Sequence, residues 1–235
     1  MTIIYRCELE LHDSLYYATR EIGRLYETEP IIHNYALCYA LGLVDSEKYV
    51  TTVSEEHSYR YFCPEQVPKY EEHLTPLNQQ VIYVTPASSI SHTSILNTWK
   101  YANNNYHVEM EKTQKNIPSF GRTKEIAPES LFEFFVISQT ELKLPKWIRI
   151  GKWMSKAEVT VKKLPQPKTK TDLFICIHPL NPLDVMFTNQ VISYDVVNMP
   201  PVSLIKNVQM RGQYYYFDDI NDVKLPVRMQ YRFQD

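Results

Sequence analysis

Glycine is scarce, with 5 residues in a chain of 235. Backbone cradles for phosphate need glycines close together so that several N–H groups can approach one anion. Neither G-x-G-x-x-G nor G-x-x-x-x-G-K-[ST] occurs, which argues against a dinucleotide-binding fold and a P-loop nucleotidase. H-E-x-x-H is missing, as is any acidic pair at metal-ligand spacing, so no motif asks for a metal or another cofactor. The cysteines, Cys7, Cys38, Cys63 and Cys176, are far apart and form no C-x-x-C; this argues against zinc and for buried free thiols. No apolar run is long enough to span a bilayer. Residues 1–5 enter a strand pattern directly, without the basic start of a signal peptide, and a cytoplasmic location is expected. There is no internal repeat, heptad or low-complexity tract.

What the chain does have is rings. Its 18 Tyr and 3 Trp are apolar on the face and polar at the edge, which suits cores, interfaces and base stacking. The net charge of −2 conceals an uneven distribution. Residues 1–75 carry 6 basic and 13 acidic groups, whereas residues 143–170 carry 9 basic groups against Glu158 alone, a balance of +8. That short segment is the best candidate for a phosphate contact.

Residues 3–11 alternate, with Ile3, Tyr5, Cys7, Leu9 and Leu11 on one face and Arg6, Glu8 and Glu10 on the other, the pattern of a half-buried strand. Thr28 reads as a helix N-cap with Pro30 in the first turn, Ile31, Tyr35, Cys38 and Tyr39 as an apolar stripe, and Gly42 as the closing residue. Residues 44–80 are polar and carry Pro64, Pro68 and Pro76, so short irregular pieces are expected there, followed by a strand at Val81–Thr85. Residues 98–138 read as a long hairpin, Trp99–Glu111 outgoing and Leu131–Ser138 returning, with an exposed tip from Lys112 to Glu125. Trp147–Trp153 reads as a strand with Trp147, Arg149, Gly151 and Trp153 on one face. Glu158–Leu164 is a second strand, residues 165–170 a loop, and Leu173–Ile177 a buried strand. Val191–Val197, Gln213–Phe217 and a terminal strand through Val227, Met229, Tyr231 and Phe233 complete the series. Strands outnumber helices, which points to an α+β domain with an antiparallel sheet.

Several groups combine charge with stacking surfaces, as single-stranded nucleic acid requires. Lys146, Arg149, Lys152 and Lys156 accompany Trp147 and Trp153; the alternative is core tryptophans beside a solvated face. Arg20, Arg24 and Tyr26 follow the first strand, though Glu21, Glu27 or Glu29 can hold the arginines in surface ion pairs. Lys112, Lys115, Phe120, Arg122 and Lys124 occupy the hairpin tip. His33, with Tyr26 and Lys152, can supply a general base and acid for RNA cleavage without metal. Asp218, Asp219 and Asp222 form an acidic cluster that reads as a solvated loop.

Four stretches carry a resemblance: Tyr5–Leu9, Ala18–Glu29, His33–Leu37 and Trp147–Lys156. In this order and at this length, the chain resembles the subunit of type I-D CRISPR Cascade that binds the five-prime handle of crRNA. The resemblance implies a single RAMP domain over residues 1–235, with a ferredoxin-like (RRM-like) antiparallel core and an extended β-hairpin thumb at 98–138. It implies a noncatalytic RNA-binding role, with crRNA, the backbone subunit and the large subunit as partners and target DNA reached through the complex. A metal-independent endoribonuclease acting on CRISPR precursor RNA is the alternative. The chain departs from the RAMP pattern in one respect. Where many members place a glycine-rich loop against RNA, Ile150-Gly151-Lys152 has a single glycine, so Lys and Arg side chains must do more.

Overall fold

The computed structural model describes residues 1–44, 69–101, 119–218 and 220–233, without the side chains of residues 100, 101, 119, 120 and 221. Strand accounts for 52% and helix for 11% of the chain, so it is more strongly β than a balanced α+β domain. The alternation at the N-terminus produces β1 (Ile3–Leu11), whose Cys7, Leu9 and Leu11 are fully buried while Glu8 and Glu10 face water.

β1 is the middle of a seven-stranded sheet. It pairs antiparallel with β9 (Leu131–Ser138) on one side and β11 (Ser155–Lys163) on the other. β10 (Trp147–Ile150) extends the β11 edge; β6 (Ala87–Ser91) and β4 (Ile31–Ile32) extend the β9 edge, and β5 (Tyr83–Val84) also pairs with β9. The four central strands run in the spatial order β11-β1-β9-β6. The chain between β1 and β6 includes helices α1 (Asn34–Ala40) and α2 (Tyr70–Gln79). Leu37 and Cys38 of α1 and Leu74 and Leu77 of α2 join Leu9, Phe132 and Phe134 in one core.

α1 begins later than the Thr28–Pro30 signal suggests. Its N-cap is His33, whose Nδ1 accepts from the N–H of Tyr35 at 3.2 Å. Thr28 is instead buried in a clasp: its hydroxyl donates to the carbonyl of Tyr17 and accepts from the Tyr17 N–H. At the other end Gly42 closes the helix as expected. Its φ is +68°, its N–H reaches the carbonyl of Tyr39, and Leu43 N–H reaches that of Cys38, the two bonds of a Schellman motif. α2 replaces part of the irregular stretch expected at 44–80; Pro76 sits inside it. Cys63 lies outside the described residues, and Cys7, Cys38 and Cys176 are free and buried.

A second, four-stranded sheet holds the hairpin, but with a different return arm. β7 (Ser94–Tyr101) pairs with β8 (Ser119–Ile126), and β2 (Arg20–Ile22) and β3 (Leu25–Glu27) complete the sheet through a parallel β3–β8 contact. The expected return arm, Leu131–Ser138, lies in the main sheet as β9, because burying Phe132, Phe134 and Phe135 against β1 removes far more apolar surface than an exposed hairpin arm could.

The third sheet contains β12 (Lys168–Cys176), β13 (Gln190–Val197), β14 (Leu204–Phe217) and β15 (Ile220–Pro226), with the short helix α3 (Pro182–Val185) between β12 and β13. β12 starts at Lys168, inside the expected loop, and buries Phe174 and Cys176 while exposing Leu173 and Ile175; Ile177, just past its end, is exposed too. It is therefore half-buried, not a buried strand. The terminal segment keeps its alternation, with Met229 and Tyr231 buried and Arg228, Gln230 and Arg232 exposed, but is not a strand. Side chains satisfy its backbone: Asn78 bonds Tyr231, and Asp184 accepts from the Arg232 N–H.

Candidate nucleic-acid interface

The basic segment turns sharply between β10 and β11. Gly151 has φ +81°, and a Cβ there would stand 2.8 Å from Leu15 Cδ1 and 3.1 Å from the carbonyl oxygen of Tyr16. Glycine is thus required by conformation and by space. Three amides of the turn are engaged internally: the Gly151 N–H donates to the Tyr17 hydroxyl at 3.0 Å, the Lys152 N–H to the Tyr16 carbonyl at 2.9 Å and the Met154 N–H to the Gly151 carbonyl at 3.2 Å. Basic side chains are the main groups left for a phosphate.

Acids from outside the segment offset about half of the charge imbalance of residues 143–170, and Glu158 pairs within it. Lys146 lies 3.0 Å from Glu158, Arg149 3.8 Å from Asp13, Lys163 2.5 Å from Glu141, Lys168 2.5 Å from Asp218, and Lys170 2.8 Å from Asp172. Among the described residues no carboxylate pairs with Lys143, Lys152, Lys156 or Lys162. Exposed pairs of this kind contribute about 0–1 kcal/mol, so they lower the local field without locking the cations in place.

The two tryptophans of the segment do not share a face. β10 ends at Ile150, and Trp147 remains on the open side of the main sheet, edge-on to His12 with Lys156 Nζ 4.0 Å from its ring centroid. Trp153 follows the turn to the second sheet. Its centroid is 4.6 Å from Tyr16, tilted by 30°, and 5.4 Å from Trp99 at 71°. Lys152 Nζ lies 6.0 Å from the Tyr16 ring centroid.

Arg20 is committed to acids: its guanidinium is 2.5 Å from Glu27 and 3.3 Å from Glu29. This is the ion-pair alternative rather than a free cation. The hydrogen bond from Arg20, with help from Lys124 at 3.5 Å, holds the Glu27 carboxyl below its ordinary range. Tyr26 is hydrogen-bonded to Glu21, which raises its hydroxyl above the usual value. Arg24 and Arg122 are exposed and have no carboxylate partner among the described residues; the Arg122 N–H donates to the Arg24 carbonyl, which sets the two side by side. Lys112 and Lys115, and the side chain of Phe120, lie outside the described residues.

His33 is almost fully buried, at the wall of a groove, with both ring nitrogens engaged. Besides accepting from Tyr35, it meets the Val202 carbonyl through Nε2 at 3.2 Å, and burial lowers its pKa to about 4. The imidazole is neutral, with Nε2 as donor and Nδ1 as acceptor.

A groove of about 520 Å³ collects what the sequence scatters. Tyr17, Tyr35, Tyr39 and Tyr70 line it, Arg149 and Lys152 border it, and Met199–Pro201 close the far side. Tyr35 and Tyr70 lie 5.0 Å apart, tilted by 40°. Tyr35 and Tyr39 carry the pattern of a core stripe, and Tyr70 opens a helix that a proline obscures. The high tyrosine count was the only signal for this surface. Trp99 and Tyr16 were likewise invisible as site residues. Among the described residues no group of acids, histidines and cysteines could hold a metal ion.

Fold and site together define a class: a mostly β protein in which a basic turn meets an aromatic groove. The chain belongs to the family described as type I-D CRISPR-associated protein Cas5/Csc1, whose model matches residues 2–234. No curated protein matches the chain in sequence. Among solved structures it is similar to a chain in the type III-B Cmr-beta complex bound to cognate target RNA, with 11% identity and a TM-score of 0.42, over 69% of this chain and 61% of that one.

Proposed function

We propose that this chain is the noncatalytic subunit of a type I-D effector complex that holds the five-prime handle of crRNA. In that role it joins the backbone subunit to the large subunit for target DNA recognition in the cytoplasm. The observation that carries the reading is the placement of Arg149 and Lys152 beside a groove lined with tyrosines, since cations for phosphate and rings for bases are what single-stranded RNA recognition uses. Family membership supports it. The order β11-β1-β9-β6, with α1 and α2 between β1 and β6 in sequence, supports a ferredoxin-like RAMP core in which β10 and irregular chain stand where a second helix would pack. The β7–β8 hairpin is the thumb in this reading.

Absence of cleavage is part of the proposal. A general base needs a free lone pair facing the substrate, and His33 has both nitrogens committed. The test is incubation of the purified chain with repeat RNA in EDTA, followed by a binding titration. RNA that is bound and stays intact supports the reading. Failure to bind RNA, alone or in the co-expressed complex, would overturn it, and site-specific cutting that vanishes in His33→Ala would replace it with the endoribonuclease.

A further inference from the structure

We infer that Trp99, opposite Gly121 in the β7–β8 ladder and backed by Trp153, is a stacking ledge for one nucleobase of the bound RNA. The inference rests on the RNA-binding reading above and adds a specific contact outside the tyrosine groove.

The first observation is a pair of held but uncovered rings. Trp99 is 51% and Trp153 is 44% exposed. An indole whose task is to anchor a hairpin gains by burying its surface, and these two leave about half of theirs in water. Their orientations are nonetheless fixed. Trp99 Nε1–H donates to Thr123 Oγ1 at 2.8 Å; that hydroxyl donates to Glu125 Oε1 at 2.7 Å, and Asn97 Nδ2 donates to the same oxygen at 2.6 Å. Glu125 is buried, so the chain of bonds ends in a carboxylate that cannot swing into solvent. Trp153 is held against Trp99 on one side and Tyr16 on the other. A rigid, preoriented ring costs little ordering when a base lands on it.

The second observation is independent. Gly121 is the residue directly across from Trp99 in the β7–β8 ladder, so the two share a face of the sheet. Its backbone is not in the left-handed region, and among the described residues a Cβ built on it would meet nothing within 4 Å. Neither conformation nor crowding calls for glycine there, and glycine inside a strand is unfavourable. What it provides is open space beside an exposed indole, the situation in which a strand glycine marks the close approach of a ligand. A flat base fits such a space, and Lys152, beside Tyr16 on the same cluster, supplies a cation for its phosphate.

The experiment uses the full chain, single-stranded repeat RNA and a salt series, with Trp147→Phe as the parent so that only the ledge tryptophans fluoresce. RNA should quench that fluorescence. Trp99→Ala and Gly121→Val should each lose roughly 5- to 150-fold in affinity with the salt slope unchanged, because stacking is not a charge contact. Gly121→Val guards against misfolding: a β-branched residue suits the strand, so its melting temperature should equal or exceed the parent's while RNA binding falls. If the parent binds RNA and both variants bind equally well, the ledge is overturned while the RNA-binding reading stands. If the parent binds no RNA, the reading fails first and takes the ledge with it. Full RNA binding combined with loss of assembly with the other subunits would make the ledge a protein contact and overturn the inference.

Discussion

The side chain of Asn78 pairs with the backbone of Tyr231 as a neighbouring strand would: its Nδ2 donates to the Tyr231 carbonyl at 2.9 Å and its Oδ1 accepts from the Tyr231 N–H at 2.9 Å. One amide side chain thus stands in for an absent strand and ties the C-terminal segment to α2. Asn78→Ala leaves both groups unpartnered in a partly buried place and should cost about 2 kcal/mol. Denaturant unfolding checks the magnitude, and faster exchange of the Tyr231 amide checks the mechanism. A cost near zero would show that the segment is held by Tyr231 packing alone.

Buried acid and base groups pull stability in opposite directions with pH. Asp184 accepts from Tyr83, Asn34 and the Arg232 N–H, yet burial raises its pKa to about 7 from 3.8. Its contribution is therefore complete below the unfolded value and lost as pH rises through the folded one. His33 and His178 are held neutral by burial, both at about 4 against 6.5, and their contributions are lost as pH falls through about 4. Between pH 4 and 6.5 the unfolded chain binds two more protons on the histidines and one fewer on Asp184, a net excess of one. Stability should rise with pH by about 1.4 kcal/mol per unit from these groups. Asp184→Asn removes the opposing member and should roughly double the slope, measured by chemical denaturation across that window.

Gly151→Ala places a Cβ against Leu15 and the Tyr16 backbone at a φ of +81°. The left-handed backbone and the contact together should cost about 2–4 kcal/mol. Thermal unfolding reads the loss. RNA affinity measured well below the melting temperature should fall too, because the turn that aims Arg149 and Lys152 must shift.

Location within the fold, not charge alone, should decide which cations matter to RNA. Arg149→Ala with Lys152→Ala removes two side chains from the groove and should flatten the slope of log affinity against log salt by about 1.4, at roughly 0.7 per phosphate on a single strand. Lys168→Ala with Lys170→Ala removes two cations of β12, which do not line the groove, and should leave the slope unchanged. Equal slopes in the two double variants would show that the basic segment acts only as a diffuse field.

The sequence by itself determined the local features. Alternation delimited β1 at Ile3–Leu11, because a strand with one wet face needs nothing beyond its own period of two to be recognised. Gly42 marked the end of α1 because only a residue free to adopt positive φ makes that turn cheaply. The aromatic and basic richness of Trp147–Lys156 marked the region of the candidate site. Tertiary structure alone decided what those features face. Trp147 and Trp153 part because β10 stops at Ile150. The +8 segment meets Asp13, Glu141 and Asp218, acids drawn from elsewhere in the chain. β9 leaves the hairpin for the core, and Gly121 comes to lie opposite Trp99. Pairing, burial and charge compensation are relations between residues distant in sequence, and their energies exist only once the sheets have closed around a common core.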